Sequence, residues 1–153
     1  MKRLIGLHLF VAMTLAGCKK DKLEGEKEIL IGTWEWYKTE KIYSLCNPPT
    51  LEIQLNPSSE QTSFSLRFYK NGKITYYEEG QEISTHRIIF TSFDKPNVCS
   101  LQGYKYFNIN LDNNVSNVLQ GCVSEDSLVV IRNFPFPDPE DNCENYTSYF
   151  VKQ

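Results

Sequence analysis

The stretch SFSLRFYKNGKITYY, residues 63–77, alternates Phe64, Leu66 and Phe68 with Ser65, Arg67 and Tyr69, breaks at Asn71-Gly72, and returns through Lys73 to Glu78. A period of two puts alternate side chains on opposite faces of an extended strand, and Asn-Gly supplies the positive φ angles of a tight hairpin turn. The stretch therefore reads as a β-hairpin with one apolar face.

The same texture continues in both directions, as short runs rich in Tyr, Phe, Ile, Val and Thr divided by Gly, Asn, Pro and Asp. Upstream lies Thr33 to Tyr43, with Trp34 and Trp36 on one face; Glu24 to Leu30 before it reads as a single helical turn, and Leu45 to Gln61 after it as a Pro and Ser loop. Downstream, Gly80-Gln81 turns into Glu82 to Phe90, and Ser92 to Gln102, with Pro96 and Cys99, is a loop. Gly103 to Leu111 then alternates Phe107, Ile109 and Leu111 against polar neighbours. Asn113-Asn114 turns into Val115 to Val123, Ser124 to Asp126 turns into Ser127 to Asn133, and Tyr146 to Lys152 follows. Eight sequential strands joined mostly by short turns favour an all-β, antiparallel up-and-down sheet, and closing it into a barrel removes its edges. Closure pairs the last strand with the first. Residues 29–153 are read as this one barrel domain.

The beginning of the chain has a different character. Lys2 and Arg3 precede Leu4 to Ala16, apolar apart from His8 and Thr14, and small residues follow, which is the layout of a secretory signal over residues 1–17. The apolar run falls well short of the roughly 20 residues that a membrane-spanning helix needs. At Leu15-Ala16-Gly17-Cys18 the sequence resembles the lipobox of bacterial lipoproteins. That resemblance implies a diacylglycerol thioether on Cys18, cleavage before it, and an acyl group such as palmitate on its amine. Two or three acyl chains, each worth about 0.8 kcal/mol per buried methylene, hold a protein at a membrane where one chain binds marginally. Residues 18–28 are then the lipidated cysteine and a charged tether, about 35 Å long when extended. The tether is similar to the leaders of Bacteroidota lipoproteins, which implies anchoring in the cell envelope at the outer membrane, with the periplasmic or outer face left open.

Residues 1–17 contain Lys2 and Arg3 of the 16 basic side chains and none of the 19 acidic ones, so the mature chain carries a net charge of −5. This argues against nucleic acid as a partner. Besides Cys18 the chain has Cys46, Cys99, Cys122 and Cys143, an even number that in an exported protein reads as two disulfides with three pairings open. Zinc would require closely spaced cysteine pairs, and there are none. Alternate connections of an up-and-down barrel lie at opposite ends. Cys46 and Cys143 then share one end and Cys99 and Cys122 the other, which selects Cys46–Cys143 and Cys99–Cys122. On a chain-entropy account such crosslinks are worth on the order of 3 to 5 kcal/mol each.

Gly32-Thr33-Trp34 at the start of the first strand resembles the Gly-x-Trp motif of lipocalins, whose tryptophan closes one end of the barrel. With the YKNGK hairpin, the Asp-Ser-Leu-Val strand and the Tyr-x-x-Tyr-Phe-Val-Lys segment, the mature region is similar to lipocalin-like domains of small Bacteroidota lipoproteins. The family's Thr-Asp-Tyr motif is absent, and the mature chain is shorter than a typical lipocalin. The family arginine that packs on the tryptophan has Arg132 as its one matching position. The resemblance implies a concave interior lined by Trp34, Trp36, Phe64, Phe68 and Phe107 as candidate ligand-facing residues.

Chemistry is sparse by comparison. After export His86 is the one histidine, and strand parity and neighbours place no nucleophile and carboxylate beside it, so it reads as a partly exposed strand residue. Disulfides and lipidation use all five cysteines, and there is no phosphate-cradling glycine loop or HExxH. Neither an enzyme, a cofactor nor a metal is expected. Asp138, Glu140, Asp141 and Glu144 crowd the loop DPEDNCEN without calcium-loop spacing, and read as a solvated acidic turn. Phe134-Pro135-Phe136-Pro137 puts two aromatic residues in a connection, as a lid, a docking knob or a cover for the core. Asp126-Ser127-Leu128 resembles the O-glycosylation acceptor of Bacteroidota and equally suits a turn entering a strand. The expected function is a membrane-anchored lipoprotein that binds a small apolar or amphipathic molecule in its barrel. The alternative is an envelope interaction or structural lipoprotein with a filled barrel, acting on protein partners through its loops.

Overall fold

A computed structural model describes residues 22–43, 52–94, 102–131 and 144–153. A 3₁₀ turn, Gly25–Leu30, leads into β1, Gly32–Tyr43. Then come β2, Glu52–Leu55; a one-turn helix α1, Pro57–Glu60; β3, Phe64–Tyr69; and β4, Lys73–Glu78. The remaining strands are β5, Gln81–Phe93; β6, Lys105–Leu111; β7, Asn114–Val123; β8, Ser127–Ile131; and β9, Glu144–Lys152. From β3 to β9 each strand pairs antiparallel with the next, and β1 pairs with both β3 and β9, closing an eight-stranded antiparallel barrel.

The segment expected to be a loop, Leu45 to Gln61, contains the ninth strand. β2 pairs along Thr39 to Ile42 of β1, beyond the reach of β3, which pairs with Gly32 to Glu35. One long strand thus has two short partners on the same edge. α1 is fixed by an Asn56 cap: its Oδ1 accepts from the Ser58 and Ser59 N–H groups at 3.0 Å, and its own N–H donates to Ser59 Oγ at 3.0 Å. Those bonds need no tertiary partner, so they stabilise the turn locally.

The Asn71-Gly72 turn differs from the two-residue form expected. Tyr69 pairs with Lys73, leaving three connecting residues, of which only Gly72 has a positive φ, 76°. The two-residue turns with both φ values positive occur elsewhere, at Glu79-Gly80 and at Asp112-Asn113. Each lies one residue earlier than the turn position read from the sequence. β5 also runs three residues past Phe90, through a bulge between Phe90 and Ser92 that returns Phe93 to the inner side.

Inward residues of every strand from β3 to β9, with those of β1, form one core: Trp34, Trp36, Leu66, Phe68, Ile74, Ile88, Phe107, Ile109, Leu119, Leu128, Val130 and Phe150 are at most 3% exposed. The 3₁₀ turn caps one end of this core with Leu23 and Leu30, both fully buried. The Leu23 N–H donates to the Lys70 carbonyl at 3.1 Å, and Lys70 and Lys105 reach Glu28 and Glu26 at 3.4 and 3.2 Å. The opposite end carries the β4–β5 and β6–β7 turns; residues 44–51 and 132–143 lie outside the described residues.

On the outer face, Lys38 Nζ and Tyr149 Oη donate to the two oxygens of Glu40 at 2.8 and 2.7 Å. The Lys38 bond first and the Tyr149 bond second hold the Glu40 carboxyl below the usual carboxylate range. A carboxyl with a lowered value in the fold contributes stability above its ordinary range and loses it as pH falls through the folded value. Urea midpoints of the wild type and Glu40→Gln should therefore differ near about pH 6 and converge as the pH drops below about 4. A gap of constant size down to low pH would show that the carboxylate charge contributes nothing.

Candidate functional site

The barrel interior has two chemically different halves. At the capped end, Trp34 donates its indole N–H to the Leu30 carbonyl at 2.8 Å, and Lys152 crosses the ring with Nζ 5.0 Å from the centroid while donating to the Ile29 carbonyl at 3.1 Å. Gly32 permits this crossing. Its φ of 131° is a glycine conformation, and a Cβ there would come within 3.0 Å of Lys152 Cε. Lys152 packs on the tryptophan; Arg132, the position to which the resemblance assigned such packing, lies outside the described residues.

In the far half the inner wall turns polar. A bulge between Trp36 and Lys38 moves Thr39 onto the inner side. Thr39 Oγ1 accepts from Trp36 Nε1 at 2.9 Å and shares a 2.7 Å hydrogen bond with Ser148 Oγ of β9, its register partner; both hydroxyl residues are fully buried. Phe64 meets the Trp36 ring edge to face at 5.6 Å. Buried hydroxyls of this kind are sustained by their mutual bonds. Thr39→Val should cost about 1 to 3 kcal/mol in urea unfolding, because it removes this acceptor from Trp36 and this partner from Ser148. Thr39→Ser should recover most of the loss; if it does not, the methyl packing matters more than the hydroxyl.

On β4 and β5 the inward positions carry Tyr76, Ser84 and His86, and the β6–β7 turn brings the exposed Asp112 beside His86. Tyr76 pairs with Ser84 and Ile74 with His86, so all four strand residues share the inner face with the core residue Ile88. His86 Nδ1 lies 2.7 Å from Asp112 Oδ2, and Nε2 lies 3.0 Å from Ser84 Oγ. The Asp112 carboxylate is held from a second side: Oδ1 accepts the Arg87 N–H at 2.8 Å, and the Asp112 N–H donates to the Arg87 carbonyl at 2.9 Å. These bonds, the Arg87 N–H first and His86 second, keep the carboxyl below its ordinary range. The Tyr76 ring is 5.4 Å from that of His86. Burial foremost, and the nearby Asp112 charge, push its phenol far above the ordinary value, so it stays protonated.

His86 is the partly exposed strand residue expected, but the expectation that no nucleophile and carboxylate lie beside it is corrected. The histidine has both a serine and a carboxylate within hydrogen-bonding distance, one on each ring nitrogen. The serine was legible as an i, i+2 neighbour on one strand face. The aspartate was not, because it reaches β5 through the left-handed backbone of Asp112 and Asn113, φ 54° and 61°, in a turn expected one residue later.

Of the aromatic residues expected inside, Trp34, Trp36, Phe68 and Phe107 are buried in the core, and Phe64 packs against it partly buried. Trp34 and Phe68 belong to the capped half, since Phe68 pairs with Gly32. Cys122 is disulfide-bonded. Cys18, Cys46, Cys99 and Cys143, the acidic loop DPEDNCEN up to Cys143 and Phe134 to Pro137 all lie outside the described residues. A polar hollow of about 350 Å³ on the outer face, lined by Tyr69, Asn71, Lys73, Thr75, Glu82 and Thr85, is open to solvent. Its side chains largely satisfy one another, Thr75 with Thr85 at 2.5 Å and Thr85 with Glu82 at 3.0 Å.

No family model, no curated protein and no solved structure matches this chain.

Proposed function

We propose that this chain is an exported lipoprotein, anchored in the cell envelope through acyl chains on Cys18, whose lipocalin-like barrel holds a small apolar or amphipathic molecule in its far half. One observation carries the reading: the interior grades from an apolar, capped end at Leu23, Leu30 and Trp34 to an end where Thr39, Ser148, Tyr76, Ser84 and His86 put hydroxyl and imidazole groups among aromatic and aliphatic walls. Apolar walls with a few fixed polar groups are the makeup of small-molecule sites. An amphipathic molecule would lay its apolar part toward the cap and its polar part toward those groups. The outer membrane is the proposed site of anchoring.

Two disulfides, Cys46–Cys143 and Cys99–Cys122, belong to the same proposal. Cys122 is half of a disulfide and sits on β7 beside Tyr106 of β6, and the connection that enters β6 contains Cys99.

The Cys18→Ser chain tests both parts. It should move from the membrane to the soluble exported fraction; retention in the membrane refutes the acyl anchor. Incubated with a bacterial polar-lipid extract and examined by native mass spectrometry, it should carry a defined added mass that Phe64→Arg removes. A folded chain that keeps its bare mass, with or without that substitution, refutes the cargo.

A further inference from the structure

The three side chains Ser84, His86 and Asp112 are ordered as a nucleophile, its base and the group that orients the base. In the tautomer whose Nδ1–H donates to the carboxylate, Nε2 is the bare nitrogen, and Nε2 is the atom 3.0 Å from the serine hydroxyl. That hydroxyl can then donate to the lone pair that would take its proton. The carboxylate is unable to swing away easily, because its second oxygen and its backbone N–H are both bonded to Arg87, the residue after the histidine. His86 is about one-fifth exposed and Asp112 half exposed, so the group faces solvent from the far half of the barrel rather than being sealed in the core. Ile74, paired with His86, and Ile88, paired with Leu111, are fully buried in the core behind it.

We infer that Ser84, His86 and Asp112 hydrolyse small carboxylic esters with aliphatic acyl groups, through an acyl intermediate on Ser84. Ser84 Oγ attacks the ester carbonyl carbon as its proton passes to His86 Nε2. The tetrahedral species collapses, the C–O bond to the alcohol breaks, and the alkoxide leaves with the proton from Nε2. Water then attacks the acyl carbon, giving its proton to Nε2; the carboxylic acid departs and the proton returns to Ser84. No redox partner is needed. Ser84 and His86 are the catalytic residues, and Asp112 is a positioning residue that selects the tautomer. The activity stands apart from the cargo reading, since it requires turnover and not a resident ligand.

The test uses the full lipidated chain in dodecyl maltoside with p-nitrophenyl butyrate and, separately, a fluorophosphonate. Expected are catalytic release of p-nitrophenolate and a single phosphonyl group mapped to the peptide containing Ser84. Ser84→Ala should abolish both. Asp112→Asn keeps the side-chain shape and should lower kcat on the order of 10² to 10⁴-fold with KM little changed, and move the pH profile, because the wrong tautomer then faces Ser84. Thr85→Ala, on the outer face, should leave the rate unchanged. A phosphonyl group absent from Ser84, or a Ser84→Ala chain as fast as the wild type, overturns the inference even if a bound lipid is found.

Discussion

Replacing Trp34 by Ala should lower the unfolding free energy by about 3 to 5 kcal/mol, the cost of removing a large, fully buried side chain from a site that cannot collapse around the gap. The gap would open between the barrel wall and the 3₁₀ turn, and the loss includes the 2.8 Å bond from the indole to Leu30 and the ring beneath Lys152. Urea unfolding followed by far-ultraviolet circular dichroism measures it, with an unchanged m-value showing that the same surface is exposed. Lys152→Met separates the components. It keeps the packing stem and removes the charge, so it should cost only about 0.5 to 1 kcal/mol. A Lys152→Met loss as large as that of Trp34→Ala would mean that the ammonium group, through the ring and the Ile29 carbonyl, and not the filled volume, holds the cap.

Gly121→Ala is expected to cost about 2 to 3 kcal/mol although it adds a single methyl. Gly121 on β7 is buried between β6 and β8, and its Cβ would overlap the Val129 carbonyl oxygen and stand 3.0 Å from the end of the Phe107 ring. The ring is a side chain and can rotate, whereas the carbonyl belongs to the backbone of the neighbouring strand, so β8 itself would have to move. The double variant Gly121→Ala with Phe107→Leu separates these contacts. Their effects should stay close to additive, because the smaller residue leaves the carbonyl obstacle in place. Full recovery in the double variant would instead assign the strain to the ring.

The hairpin at residues 63–77 was legible because alternation of Phe64, Leu66 and Phe68 is a statement about burial, and burial follows parity in any sheet with one covered face. The turns were less legible. Asn-Gly suits two residues of positive φ, but here only Gly72 adopts it, while Glu79, Asp112 and Asn113, residues with no glycine in their favour, take the left-handed conformation where the strand register leaves two residues to connect. β2 was missed because its four residues have one partner, Thr39 to Ile42 of β1, and that vacancy exists only once β3 has turned away. The candidate site divides in the same manner. Ser84 and His86 share a strand face by spacing alone, but Asp112 is 26 residues from His86 along the chain and joins it through a turn.

The sequence alone determined an all-β chain, its inward faces, the barrel closure of last strand on first, and the aromatic residues that fill the interior. These follow from a period of two and from the need to bury one side of every strand. Tertiary structure decided what those faces meet. A bulge after Trp36 turned Thr39 inward to Ser148, Lys152 came to lie over Trp34, and a left-handed turn put Asp112 on His86. Each depends on register between strands distant in sequence, and a slip of one residue would send these side chains to the opposite face of the barrel.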